Sequence, residues 1–287
     1  MRNKYIFYFP VLILFSNFSC TKTINLDLPE TDPRLVVEGI ISNDSGPYTV
    51  KLTRTQKYSF ILDTNKMNYE KGAIVMISDN EGITDTLKEI STGIFQTHKE
   101  KITGQAGRSY HIDIFTNDGK HYKSRPEVLL ASPEIDSIYF DRDYSDRYEK
   151  SFRYNVYIDW NEPKGRINYY MFVVSFFWGS SWHQQYEFNF LMSDNLETGY
   201  FYKKMRAVSG YTNGYIILKL DMYTLQKNNF DFWNIMFSQK YNSDISGYVN
   251  NTVPLVGNIF NANNPDDYAI GYFQVSGVSS AQVFINR

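Results

Sequence analysis

The stretch FRYNVYIDW, residues 152–160, decides the fold class because apolar and polar side chains alternate along it without a break. The even positions carry Phe, Tyr, Val, Ile and Trp, and the odd positions carry Arg, Asn, Tyr and Asp. A period of two places each set on its own face of an extended chain, so the segment predicts a half-buried β-strand. After turn residues at 161–165, residues 169–178 are almost wholly apolar and predict a strand in the centre of its sheet.

Short strands separated by turn signals also fill residues 34–130. Residues 35–42 form a β-branched run that stops at the turn cluster 43–47. Residues 110–114 alternate before the hairpin turn at 117–119. About six or seven strands at this spacing are typical of an immunoglobulin-like β-sandwich.

A boundary near residue 131 is followed by a second β-rich domain over residues 131–287. This domain carries one α-helix near residues 228–241, where apolar side chains fall on one helical face. These side chains are Leu225, Phe230, Trp233, Met236 and Phe237. The sequence therefore predicts a mainly β protein with an immunoglobulin-like sandwich over 34–130 and a β-rich domain with one helix over 131–287.

The composition of the 287 residues favours the same fold class and excludes one class of partner. Aromatic residues make up 17% of the chain, and they favour pleated, half-buried strands. The formal net charge is −2, whereas a protein that binds nucleic acid needs a basic surface. We therefore expect no nucleic-acid partner.

The N-terminus has the pattern of a secretory signal peptide over residues 1–19. Arg2 and Lys4 precede an apolar stretch at residues 5–18, and the small Ser19 follows it. The stretch is short for a membrane span, which needs about 20 apolar residues. A buried N-terminal helix or strand is the alternative interpretation.

Cys20 is the one cysteine of the sequence, so it cannot form an internal disulfide or a zinc cluster. Its position directly after the apolar segment resembles a bacterial lipobox, in which the cysteine is lipidated and becomes the first residue of the mature chain. Several lipid chains anchor a protein stably to a membrane. The polar residues 20–33, with Pro29 and Pro33, predict a tether between this anchor and the folded part.

The best candidate binding segment is FFWGSSWHQQY, residues 176–186. Tryptophan and tyrosine beside small polar residues suit a surface that docks a receptor or stacks on a sugar. The candidate binding residues are Trp178, Trp182, His183 and Tyr186. The alternative is a hairpin whose aromatic side chains fill the core of the second domain. Further candidates for exposed aromatic residues are Tyr144, Tyr148, Tyr200, Tyr202, Tyr211 and Tyr215.

The sequence shows no catalytic or metal-binding pattern that we can identify. The four histidines, at 98, 111, 121 and 183, lack the spacing of metal ligands. Asp141, Asp143 and Asp146 lack the glycine and distal glutamate of a calcium loop. We predict no enzymatic activity, cofactor or metal ion, and an enzyme with an unmarked pair of carboxylates stays an alternative.

Several short motifs in order resemble one family. They are RLVVEG (34–39), GPYTVKL (46–52), GQAG (104–107), IDSI (135–138), and GNI (257–259) before GYF (271–273). Together with the lipobox, they make the chain similar to the domain of unknown function 4249 family of Bacteroidota lipoproteins. The resemblance implies an outer-membrane lipoprotein, often encoded beside TonB-dependent receptors of the SusC-like kind, with no established enzymatic activity.

We therefore expect an outer-membrane-anchored lipoprotein, on either the periplasmic or the cell-surface face. It would be a non-enzymatic accessory or substrate-binding subunit of a TonB-dependent (SusC-like) uptake system. Its expected partners are the membrane, a TonB-dependent receptor, and a glycan or small nutrient. The alternative is a stand-alone surface adhesin or glycan-binding module.

Overall fold

The computed structural model describes residues 32–56, 67–143, 151–178, 181–184, 189–194, 199–246 and 254–286, with only the backbone given for 143, 178 and 240–246. The predicted signal peptide, Cys20 and the predicted tether up to residue 31 lie outside these ranges. Eighteen strands and one helix occur within them.

A nine-stranded sheet forms one layer of the fold. Its strands are β1 (Leu35–Ser42), β2 (Thr49–Arg54), β5 (Lys88–Ser91), β6 (Ile94–Gln96), β12 (Tyr169–Trp178), β13 (Ser181–Gln184), β14 (Phe190–Ser193), β16 (Ile216–Leu225) and β18 (Ile270–Ile285). The order across the sheet is β13-β12-β16-β18-β1-β2-β6-β5, and β14 pairs with β12 beside β13.

The long strand β18 joins the two ends of the chain within this sheet. Its first half runs parallel to β1, with Val36 opposite Ile270 and Ser42 opposite Ser276. Its second half runs antiparallel to β16, from Gly277 onward. The described residues from Pro33 onward form one compact unit, and the predicted domain boundary near residue 131 stays a prediction.

A six-stranded sheet packs against the β1 side of the large sheet. Its strands are β3 (Ile74–Asp79), β4 (Thr84–Thr86), β7 (Ser109–Phe115), β8 (His121–Ser124), β9 (Glu127–Val128) and β17 (Ile259–Asn261). One buried cluster contains Val37, Val50 and Phe273 from the large sheet with Ile77 and Ile112 from the smaller one. The two sheets therefore form a β-sandwich, in line with the predicted fold.

A three-stranded sheet covers the β12 side of the large sheet. Its strands are β10 (Ile135–Asp143), β11 (Phe152–Asn161) and β15 (Phe201–Thr212). The side chains of β11 alternate between buried and half-buried, as the FRYNVYIDW pattern predicts. The fully buried Trp160 stacks on Tyr202 at 4.2 Å between ring centres and packs in a core with Phe172 and Leu220.

Helix α1 (Lys227–Ser246) lies on the opposite face of β12 and β16. Phe230, Trp233 and Phe237 pack around Met171 and Val173, so both faces of β12 are covered in its first half, as the apolar sequence predicts. The helix predicted near 228–241 is confirmed and extends further in the C-terminal direction, while Leu225, expected on its apolar face, is the last residue of β16. Among the residues described, no helix has the length and apolar character needed to cross a membrane.

Candidate functional site

One line of large side chains crosses four strands of the nine-stranded sheet. Trp182 on β13 lies opposite Phe177, which lies opposite Ile217 on β16, which in turn lies opposite Phe284 on β18. Residues directly opposite in a ladder project from the same face. We call these four residues the aromatic row.

The aromatic row lies on the face of the sheet that carries helix α1. Phe177 lies four residues after Val173 and six after Met171, so it projects from the same face as these two side chains, which pack against the helix. The row is exposed: the residues Trp182, Phe177 and Phe284 are 40%, 37% and 51% accessible to solvent.

The rings of the row take part in two pair contacts, one within the row and one with the neighbouring Tyr215. Phe177 and Trp182 meet edge to face at 5.5 Å between ring centres. Phe284 meets Tyr215, which is 72% exposed, at 5.8 Å. A contiguous exposed patch of this kind marks an interaction site more often than isolated surface residues do.

A row of polar side chains runs beside the aromatic row on the same face. Gln184 lies opposite Ser175, Ser175 opposite Lys219, and Lys219 opposite Gln282. The Nζ atom of Lys219 is 2.8 Å from the Oδ1 atom of Asp221, so its charge is already paired. The surface therefore offers aromatic rings beside mostly uncharged hydrogen-bonding groups.

The row lies far along β18 from the point where the chain enters the fold. Val36, near the start of β1, pairs with Ile270. Phe284 lies fourteen residues further along β18, or about 46 Å at the usual rise per residue of a strand. The aromatic row and the point where the chain enters the fold therefore lie at opposite ends of β18, the longest strand.

The structure separates the predicted binding residues. Trp182 belongs to the aromatic row, whereas His183 is the next residue on β13 and projects from the opposite face, with Nε2 3.0 Å from Ser181 Oγ. Trp178 ends β12, and only its backbone is described. Tyr186 lies outside the described residues, so a joint site of these four residues stays a prediction.

Sequence reasoning missed most of the row because strand register is not visible in one sequence. Phe177 lies inside the candidate segment 176–186, and the sequence pattern gives no binding signal at Ile217 or Phe284. Tyr215 was a candidate for an exposed aromatic residue. Of the other such candidates, Tyr200 and Tyr211 are exposed, Tyr202 is half-buried against Trp160, and Tyr144 and Tyr148 lie outside the described residues.

Two buried carboxyl groups form a separate feature near the ends of β11 and β14. Glu162 and Asp194 are both buried. Burial and the neighbouring Asp194 carboxyl group raise the pKa of Glu162 to about 8. Asp194 accepts hydrogen bonds from the backbone nitrogen and Nδ2 of Asn168, each 3.1 Å long. Both oxygen atoms of Glu162 are closed to solvent.

A third buried carboxyl group, Glu127, holds the segment before β17 against β18. Its Oε1 atom accepts hydrogen bonds from the hydroxyl of Tyr272 and from Nδ2 of Asn258. Asn258 also bonds the backbone of Phe273 in both directions, at 2.9 and 3.0 Å. Burial raises the pKa of Glu127 to about 7.

We expect this glutamate to make the folded protein less stable as the pH rises from 4.5 to about 7. In that range the folded state holds the proton that the unfolded chain releases, so ionisation favours unfolding, by about 3 kcal/mol over the whole range. Urea unfolding at pH 4.5 and at pH 8 gives the change in unfolding free energy between these two pH values. Glu127→Gln should lose about 3 kcal/mol less of this free energy than the wild type loses. The exposed Glu81→Gln is the control, and equal pH dependence in wild type and Glu127→Gln would contradict the assignment.

The structure also predicts that replacing Trp160 and replacing Trp182 with alanine lower the free energy of unfolding by different amounts. Trp160→Ala should cost about 3–5 kcal/mol because it empties a buried site. Trp182→Ala should cost less than about 1 kcal/mol because the side chain is on an exposed edge strand. Urea unfolding of both variants checks this, and a loss at Trp182 equal to that at Trp160 would make Trp182 a core residue.

The described ranges contain no group of three or more His, Cys, Asp or Glu side chains placed to hold a metal ion.

No curated protein matches the sequence. A family model described as a domain of unknown function, DUF4249, matches residues 21–282, which is nearly the whole chain. The chain therefore belongs to the DUF4249 family.

Proposed function

We propose that the protein is an outer-membrane-anchored lipoprotein that acts as a non-enzymatic substrate-binding or accessory subunit of a TonB-dependent, SusC-like uptake system. The observation that carries this proposal is the exposed aromatic row with its polar neighbours. Rings, amides and hydroxyls of this kind bind and orient a ligand. The row itself contains no group that would donate or accept a proton near neutral pH.

The position of the row supports a role at a membrane. A lipid on Cys20 would hold the chain through residues 20–33, and the chain enters the fold at the end of β18 that is remote from Phe284. The row would thus be presented at the other end of the longest strand, about 46 Å along it. Association with a SusC-like receptor rests on the resemblance to lipoproteins encoded beside such receptors.

A stand-alone surface adhesin or glycan-binding module is the second candidate, because the same row could bind a glycan without any receptor. The two candidates differ in one observable: only a subunit of an uptake system forms a complex with a TonB-dependent receptor.

Affinity purification of the tagged full chain from mild-detergent extracts of outer membranes distinguishes them. We expect mass spectrometry to find a TonB-dependent receptor in stoichiometric amount. A second, unrelated tagged outer-membrane lipoprotein is the control for abundance. A solitary lipoprotein would contradict the uptake role and leave the stand-alone binding module.

A further inference from the structure

We infer that the aromatic row binds a neutral glycan that lies across strands β13, β12, β16 and β18. This inference rests on the proposed function and names the class of its substrate. It depends on three properties of the described surface: its chemical groups, its charge and its size.

The chemical groups match the two kinds of surface that a sugar presents. Exposed rings at Trp182, Phe177 and Phe284 can pack against the apolar C–H faces of sugar units. The adjacent Gln184 and Gln282 carry amide groups that both donate and accept hydrogen bonds, as sugar hydroxyls do. Apolar contact area with a few placed polar groups is the usual composition of a ligand site.

The charge favours an uncharged ligand. Lys219 is the charged member of the polar row, and it is paired with Asp221, whose carboxylate also accepts a hydrogen bond from Ser280. An anionic polysaccharide or an anionic lipid surface would need unpaired basic groups. The aromatic row and its polar neighbours supply hydrogen-bonding groups without unpaired basic groups.

The size of the aromatic surface suits a small ligand. The exposed fractions of Trp182, Phe177, Phe284 and Tyr215 correspond to roughly 400 Å² of aromatic surface. A stable protein interface buries about 800 Å² on each partner. The row spans three strand spacings, or about 14 Å, which suits a few linked sugar units.

The test is binding of the detergent-solubilised full chain to an array that covers the common neutral and acidic glycan backbones. Isothermal titration with a retained oligosaccharide then gives its Kd. We expect neutral glycans to be retained, and Trp182→Ala and Phe284→Ala each to weaken binding about tenfold. Tyr211→Ala removes an exposed aromatic side chain on β15, outside the row, and should leave the Kd unchanged.

The inference is overturned if no neutral glycan is retained, if only acidic glycans are retained, or if neither row variant weakens binding. These results are separate from the test of the uptake role. A co-purifying receptor without glycan binding would keep the proposed function and remove its substrate class. Glycan binding through the row without a receptor would keep the glycan site and remove the uptake role.

Discussion

Replacing Gly271 with alanine is expected to cost more than about 4 kcal/mol of unfolding free energy. Gly271 lies opposite Val37 where β18 runs parallel to β1, and its φ of +99° belongs to a region that favours glycine. A Cβ atom there would lie 2.0 Å from the carbonyl oxygen of Val37. Because the obstacle is backbone, the sheet itself would have to shift.

This cost is large against the usual stability of a domain, about 5–15 kcal/mol. Urea unfolding followed by circular dichroism measures it. Gly82→Ala is the matched control, because Gly82 has a φ of +91° and nothing within 4 Å of the added Cβ atom. That variant should show only the backbone strain, about 1–2 kcal/mol. Equal stability of Gly271→Ala and Gly82→Ala would show that the β1–β18 pairing is looser than described.

Replacing Cys20 with serine is expected to move nearly all of the protein from the membrane fraction to the soluble fraction. Serine has a similar size but lacks the thiol that the proposed lipidation needs, and stable anchoring depends on several lipid chains. Fractionation of cells, with mass spectrometry of the N-terminal peptide, measures both location and modification.

The control for this variant is Ser19→Gly, which keeps a small residue before the proposed cleavage point and should stay in the membrane fraction. If Cys20→Ser remained in the membrane fraction after a carbonate wash, the protein would be held by something other than a lipid at this cysteine.

Local pattern explains which parts of the fold were predictable. The alternation in residues 152–160 and the apolar run in residues 169–178 depend on neighbours a few positions away, so the strands and their burial follow from the sequence. The helix near residue 230 follows for the same reason.

Contacts between distant segments were not predictable. The parallel pairing of Val36 with Ile270 joins residues more than 230 positions apart, and an apolar strand pattern specifies burial without naming its partner. The aromatic row could not be predicted for the same reason, because its members come from four strands between residues 177 and 284. The opposite orientation of Trp182 and His183, by contrast, follows from strand alternation alone once residues 181–184 are known to form a strand.

The central claim is that the aromatic row is the surface through which this protein binds its ligand. Hydroxyl-radical footprinting of the purified full chain tests it directly, with and without an oligosaccharide that the glycan array retains. We expect Trp182, Phe284 and the adjoining Tyr215 to be oxidised less with the oligosaccharide, while the exposed Tyr211 is oxidised equally in both samples. Equal oxidation of the row in both samples, with protection on another surface, would contradict it.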